Sequence, residues 1–126
     1  MKNKFRFLLL AATLILSACS AAATPVPTPT PDPFILQGQA VFNARCATCH
    51  ALVPDTIIIG PSLYGIATRA ETRVNGQSAE EYITMSVLRP GDYVVKGFNN
   101  VMITNLAKEL TSEELNALVA FLLTLK

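Results

Sequence analysis

Cys46-Ala47-Thr48-Cys49-His50 is the segment around which the rest of this chain is organised. Two thiols three residues apart on a helical turn can reach the two vinyl groups of a porphyrin and form thioethers with them. The histidine that follows is then aimed at the iron from one face. Cys-X-X-Cys-His is accordingly the attachment signature of c-type haem. With three Cys and one His in 126 residues, the expected number of chance matches is on the order of 10⁻³. Other chemistries ask for more than these residues supply. A thioredoxin-like pair sits at a strand-to-helix junction in a βαβ setting, and no such pattern surrounds these cysteines. A structural zinc site needs four ligands, whereas the segment offers Cys46, Cys49 and His50. A disulfide between Cys46 and Cys49 would close a tiny loop and leave His50 without a role. The expected cofactor is therefore one covalent haem c, held by Cys46 and Cys49 and ligated by His50.

The flanking sequence reads as all-α, with three main helices. The last is the clearest. Thr111-Ser112-Glu113-Glu114 is a capping box, with Leu110 and Leu115 at the staple positions. Leu115, Leu118, Val119 and Leu122 then fall at i, i+3, i+4 and i+7 and make one apolar face. A second helix is expected from Ser78, with Glu81 as its box partner, to the stop at Arg89-Pro90-Gly91. A first helix is expected over about Ile35 to Ala47, with Gly38, Val41, Phe42 and Arg45 at helical spacing. Asn75-Gly76 and Gly60-Pro61 are turn and loop signals between them. No useful length alternates with period two.

Towards the N-terminus, Lys2, Lys4 and Arg6 precede an apolar run from Phe7 to Leu16, interrupted only by Thr13. That run is far short of the roughly 20 residues of a membrane span, and it reads as an export signal over residues 1–18. Leu16-Ser17-Ala18-Cys19 resembles the bacterial lipobox, in which the Cys thiol is diacylated and becomes the new N-terminus; an ordinary signal peptide containing a Cys is the alternative. Two or three acyl chains anchor stably where a single chain does not. Residues 19–33 then form a lipidated, Pro-rich tether, with Pro25, Pro27, Pro29, Pro31 and Pro33 alternating. At roughly 3.1 Å per residue in polyproline geometry, the stretch from Ser20 to Pro33 reaches about 40 Å. Residues 34–126 are the folded domain.

Composition narrows the function classes. The chain is 51% apolar and 15% charged, with formal net charge +1. Loss of residues 1–18 removes three of ten basic residues and no acidic one, leaving seven against nine and a charge of −2. A nucleic-acid binder needs clustered Lys and Arg, so that class is excluded as the default.

The motif, the segments Gly38-Gln39-Ala40-Val41-Phe42 and Gly60-Pro61-Ser62-Leu63-Tyr64-Gly65, and the terminal Leu110–Leu115 helix start together resemble class I monohaem bacterial cytochromes c. The likeness covers essentially all of residues 34–126. The stretch from Glu81-Tyr82-Ile83 through Val94-Val95 is similar to the cytochrome c domain of some cytochrome c oxidase subunits II. The resemblance implies a small cytochrome c fold in which the first and last helices cross, Gly38 and Phe42 meeting the face around Phe121 and Leu122. It also implies that the Pro61 carbonyl accepts from the second ring nitrogen of His50.

The opposite face of the iron has no second histidine, which leaves Met, Lys, a backbone group, water or nothing. Met85 lies on the second helix two residues from each of Ile83 and Val87, and so points away from the face they define. Met102 sits in an irregular segment before the last helix, and a loop can carry a thioether where a helix face would not. The family's ligand is a loop Met placed there, so the resemblance implies Met102. Where the family usually has Pro directly after it, this chain has Ile103, which leaves the loop less stiff. Tyr64, Tyr93 and Phe98 are the expected haem walls.

A haem with both axial positions filled passes electrons with little rearrangement and offers a substrate nowhere to bind. The expected function is a membrane-tethered, extracytoplasmic electron carrier and not an enzyme. Its expected partners are redox proteins in or on the membrane, with no small-molecule substrate and no nucleic acid. The alternatives are a haem-bearing electron-entry subunit of a dehydrogenase or oxidase complex, or an open-site haem protein that binds gas ligands or peroxide if Met102 is not a ligand.

Overall fold

Asp32 opens the first helix: its carboxylate accepts the amide of Phe34 at 2.8 Å, and Pro33 takes the first helical position, where a missing N–H costs nothing. The computed structural model describes residues 30–126. The export signal, Cys19 and all of the tether before Thr30 lie outside the described residues. The elements in order are α1 (Pro33–Arg45), α2 (Ile66–Ala70), α3 (Ala79–Leu88), α4 (Leu106–Glu109) and α5 (Ser112–Leu123). Among the described residues no strand forms; the one β-type pairing is the isolated bridge between His50 and Ile57.

The three long helices are those expected, with shifted ends. α1 starts two residues before Ile35 because of the Asp32 cap. It stops at Arg45 because the amides of Cys46 and Ala47 both converge on the Phe42 carbonyl, at 2.8 and 3.0 Å. The short helices α2 and α4 were not expected. Four or five residues are too few to show a period, and tertiary contacts hold them. The Ala67 amide donates to the Leu125 carbonyl at 3.0 Å, and Leu106 is buried. Arg45, expected on the same face as Gly38, Val41 and Phe42, is exposed. It instead pairs with Glu109 of α4 at 2.9 Å, a surface contact of modest worth.

Both capping boxes form. The Ser78 amide donates to Glu81 Oε2 at 2.7 Å and the Glu81 amide to Ser78 Oγ at 3.2 Å. In α5 the Thr111 amide donates to Glu114 Oε2 at 2.8 Å, and the Glu114 amide to Thr111 Oγ1 at 3.1 Å. The cap amides, first among the causes, hold both carboxyls below the usual range. A lowered folded-state value stabilises above the unfolded value, and this contribution is lost as pH falls through the lowered one. The Glu81→Gln/Glu114→Gln variant is therefore expected to lose part of the wild type's acid sensitivity below about pH 4.5 in thermal melts. Parallel pH profiles for the two proteins would refute that source.

α1 crosses α5 at Gly38. A Cβ there would lie 1.9 Å from the Ala117 carbonyl oxygen and 2.7 Å from Phe121 Cβ, so only glycine lets the backbones approach this closely. Next to the crossing, the rings of Phe42 and Phe121 pack at 5.8 Å and 49°. α3 completes the core with Tyr82, Ile83 and Val87, all buried. The crossing is the one the sequence resemblance implied.

Candidate haem site

The turn after α1 places the motif on the wall of a cleft. The amides of Cys49 and His50 both donate to the Cys46 carbonyl, at 3.0 and 2.9 Å. This tight turn brings Cys46, Cys49 and His50 to one cavity of about 1290 Å³, counting its solvent-open side. Ile66, Ile83, Val87, Leu118 and Leu122 supply much of the wall, so the lining is largely aliphatic, as an apolar macrocycle requires.

His50 is tightly held. Its Nδ1 lies 2.8 Å from the Pro61 carbonyl oxygen. A carbonyl can only accept, so Nδ1 carries the proton and the Nε2 lone pair is left for a metal, the usual support of a metal-binding imidazole. Gly60 lies against the ring: a Cβ there would come within 2.4 Å of Cε1 and 2.8 Å of Nδ1. The Gly60 amide donates to the Cys49 carbonyl at 2.9 Å, which ties the Gly-Pro segment to the motif.

The cysteines are free thiols, Cys46 buried and Cys49 partly so. Burial, followed by the nearby Cys49, pushes the Cys46 thiol up to about 11. The site thus disfavours a thiolate and suits a neutral sulfur, which is what a thioether is. A thiolate metal centre would need the opposite shift. Among the described residues no three His, Cys, Asp or Glu side chains gather as a metal cluster.

The two methionines part company. Met102 is half-buried and lines the cleft. Met85 lies on the outer side of α3, with its Sδ 3.8 Å from Arg89 Nη2, and does not reach the cleft. Tyr93 and Phe98 line the cavity, and Tyr93 packs edge-on against Tyr82 at 5.6 Å. Tyr64 does not. It is 49% exposed, because the turn at Ser62, whose hydroxyl takes the Tyr64 amide at 3.1 Å, sends the side chain outward. Two cleft residues went unread in the sequence: Arg69, which donates to the Ser62 carbonyl at 2.8 Å and to the Tyr64 carbonyl, and Arg73. Nothing in their local sequence marks them.

A helical domain closed around a Cys-X-X-Cys-His cleft defines a class of covalent haem proteins. Residues 35–126 match the cytochrome c family, and the chain belongs to it. A cytochrome c-553-like protein of Synechocystis sp. is 48% identical over 33 residues, 26% of this chain and 30% of that protein's length. Membership implies a covalently bound c-type haem and haem-based electron transfer. The site fits the group: an apolar cleft, two free cysteines on its wall, and an oriented imidazole with one free nitrogen.

Proposed function

We propose that this chain is an electron carrier whose haem is ligated by His50 and Met102 and whose domain is tethered outside the cytoplasmic membrane through a lipid on Cys19. The observation that carries the reading is the placement of Met102 on the same apolar cleft as His50, with Met85 excluded from it. The bound haem supplies a one-electron couple. The chain's part would be to hold the haem iron through His50 and Met102. Pro61 fixes the imidazole, Gly60 leaves it room, and the segment around Met102 brings in a soft thioether that raises the potential relative to a second nitrogen donor. The division into a signal at 1–18, a tether at 19–33 and a haem domain at 34–126 supports a swinging shuttle. Extracytoplasmic redox proteins in or on the membrane are its partners. Encounters with them are brief and bury little surface, as suits a carrier.

The test is Met102→Ala in the haem-loaded protein. The ferrous wild type is expected to resist carbon monoxide, and the variant to bind it readily. Equal, ready binding by both would remove Met102 from the iron and bring the gas- or peroxide-binding reading forward.

A further inference from the structure

Among the described residues, the three most exposed aliphatic side chains off the cleft sit on one loop. Val53, Ile57 and Ile58, between the motif and Gly60, are 60%, 67% and 50% exposed. Haem would not cover them, because Ile59 lines the cleft and these three do not. The loop is nonetheless braced. Ile57 bridges to His50, the Ile59 amide donates to the Cys49 carbonyl at 3.2 Å, and the Ser62 hydroxyl donates to the Val53 carbonyl at 2.7 Å. Aliphatic side chains held together in water on a fixed loop mark a surface that something covers.

Composition and the tether point to what covers it. Between His50 and Arg69 the only charged residue is Asp55. Residues 51–59 include no aromatic or arginine side chain, the types that anchor protein interfaces. The backbone groups bonded at Val53, Ile57 and Ile59 are ones that an apolar medium would otherwise penalise. The chain leading to the domain is short: residues 20–33 reach about 40 Å at polyproline spacing and end where α1 begins. α1 has 13 residues and so is about 20 Å long, and the loop follows its far end. A domain of this size is only about 30 Å across. An anchor at Cys19 therefore leaves the loop within reach of the bilayer, at high effective concentration beside it.

We propose that the loop carrying Val53, Ile57 and Ile58 inserts into the interfacial region of the membrane that anchors the chain, and so turns the mouth of the haem cleft towards that surface. Ile59 belongs to both loop and cleft, so seating the loop brings the cleft's rim to the level of redox proteins held in the same membrane. Asp55, exposed on the same loop, limits the depth: the side chains enter the headgroup boundary and not the hydrocarbon centre. The inference rests on the lipid anchor of the proposed function, but not on Met102 ligation.

The test uses the matured, haem-loaded chain in phosphatidylcholine vesicles, with a nitroxide on Thr56→Cys and the haem kept in one redox state. Cys19 is lipidated and Cys46 and Cys49 hold the haem, so the new thiol alone takes the label. Oxygen concentrates in lipid and an aqueous nickel chelate does not, so the ratio of their effects on the label reports its surroundings. At position 56 this ratio is expected to be several-fold that of a label on Glu80→Cys, which lies with Met85 on the outer side of α3, and to hold as the protein is diluted in lipid. With Val53→Ser, Ile57→Ser and Ile58→Ser added together it is expected to fall to the Glu80→Cys value, the haem spectrum reporting that the triple variant is folded. Equal ratios at positions 56 and 80 in the otherwise wild-type chain overturn the proposal, whether or not the triple variant accumulates. So does a ratio that the triple variant leaves unmoved. Shielding that fades on dilution assigns the loop to a second copy and overturns the proposal too. Flotation reads the anchor separately: a chain that does not float with the vesicles removes the anchor and this docking with it, whereas a floating chain with an aqueous label at position 56 removes the docking alone.

Discussion

Replacing both cysteines, Cys46→Ala with Cys49→Ala, is expected to leave a chain that retains no haem on denaturation and shows no cooperative thermal transition. The folded part is only about 93 residues, a size at which a core is marginal without help. Much of that core is the cleft wall. Ile66, Ile83, Val87, Leu118 and Leu122 form its floor and are buried by protein alone, but Ile59, Val94, Val101 and Ile103 on the same cleft stay exposed and exchange water for haem only when the group is held there. Each fully buried aliphatic side chain contributes about 1.5–3 kcal/mol, so a few left facing water approach the whole stability of a small domain, about 5–15 kcal/mol. Circular dichroism melts and limited proteolysis read the outcome. A protease-resistant double variant that unfolds cooperatively would contradict the view that haem completes the core.

Gly38→Ala is expected to have the second largest effect, and its sign is decided by comparing two terms. Alanine in a helix interior gains about 0.5–1 kcal/mol over glycine. Against this, the new methyl would sit 1.9 Å from the Ala117 carbonyl oxygen. That atom is backbone on the facing helix, so no rotamer relieves the contact and α1 and α5 must move apart. Overpacking typically costs about 1–3 kcal/mol, and a backbone clash falls at the upper end. The net loss is about 2 kcal/mol, a fall in melting temperature of about 10 °C for a domain of this size. An unchanged or raised melting temperature would mean that the helices do not cross at this distance.

What could be read from the sequence follows from how local each signal is. The two capping boxes, the Leu115–Leu122 face and the Cys46–His50 motif are each complete within about eight residues, and the structure forms the helices they mark. Met85 could be set aside because helical spacing alone places it opposite Ile83 and Val87. The features that went unread depend on distant partners. α2 is fixed by the Leu125 carbonyl and α4 by the burial of Leu106. Tyr64 is turned outward by Ser62, against the expectation that it walls the haem. Arg69 and Arg73 become cleft residues only once the loop after Pro61 has folded against α3 and α5. Gly38 was legible as a small residue, but its reason is a carbonyl 79 positions away in the chain.

The most direct test of the central claim is the absorption spectrum of the matured wild-type protein, oxidised and reduced, with and without carbon monoxide. A reduced c-type spectrum, the weak red-region charge-transfer band of Met-ligated ferric haem, and no change on adding carbon monoxide are the predicted results. A c-type spectrum that shifts promptly with carbon monoxide would contradict the His50–Met102 carrier, and absence of any haem spectrum would contradict the account as a whole.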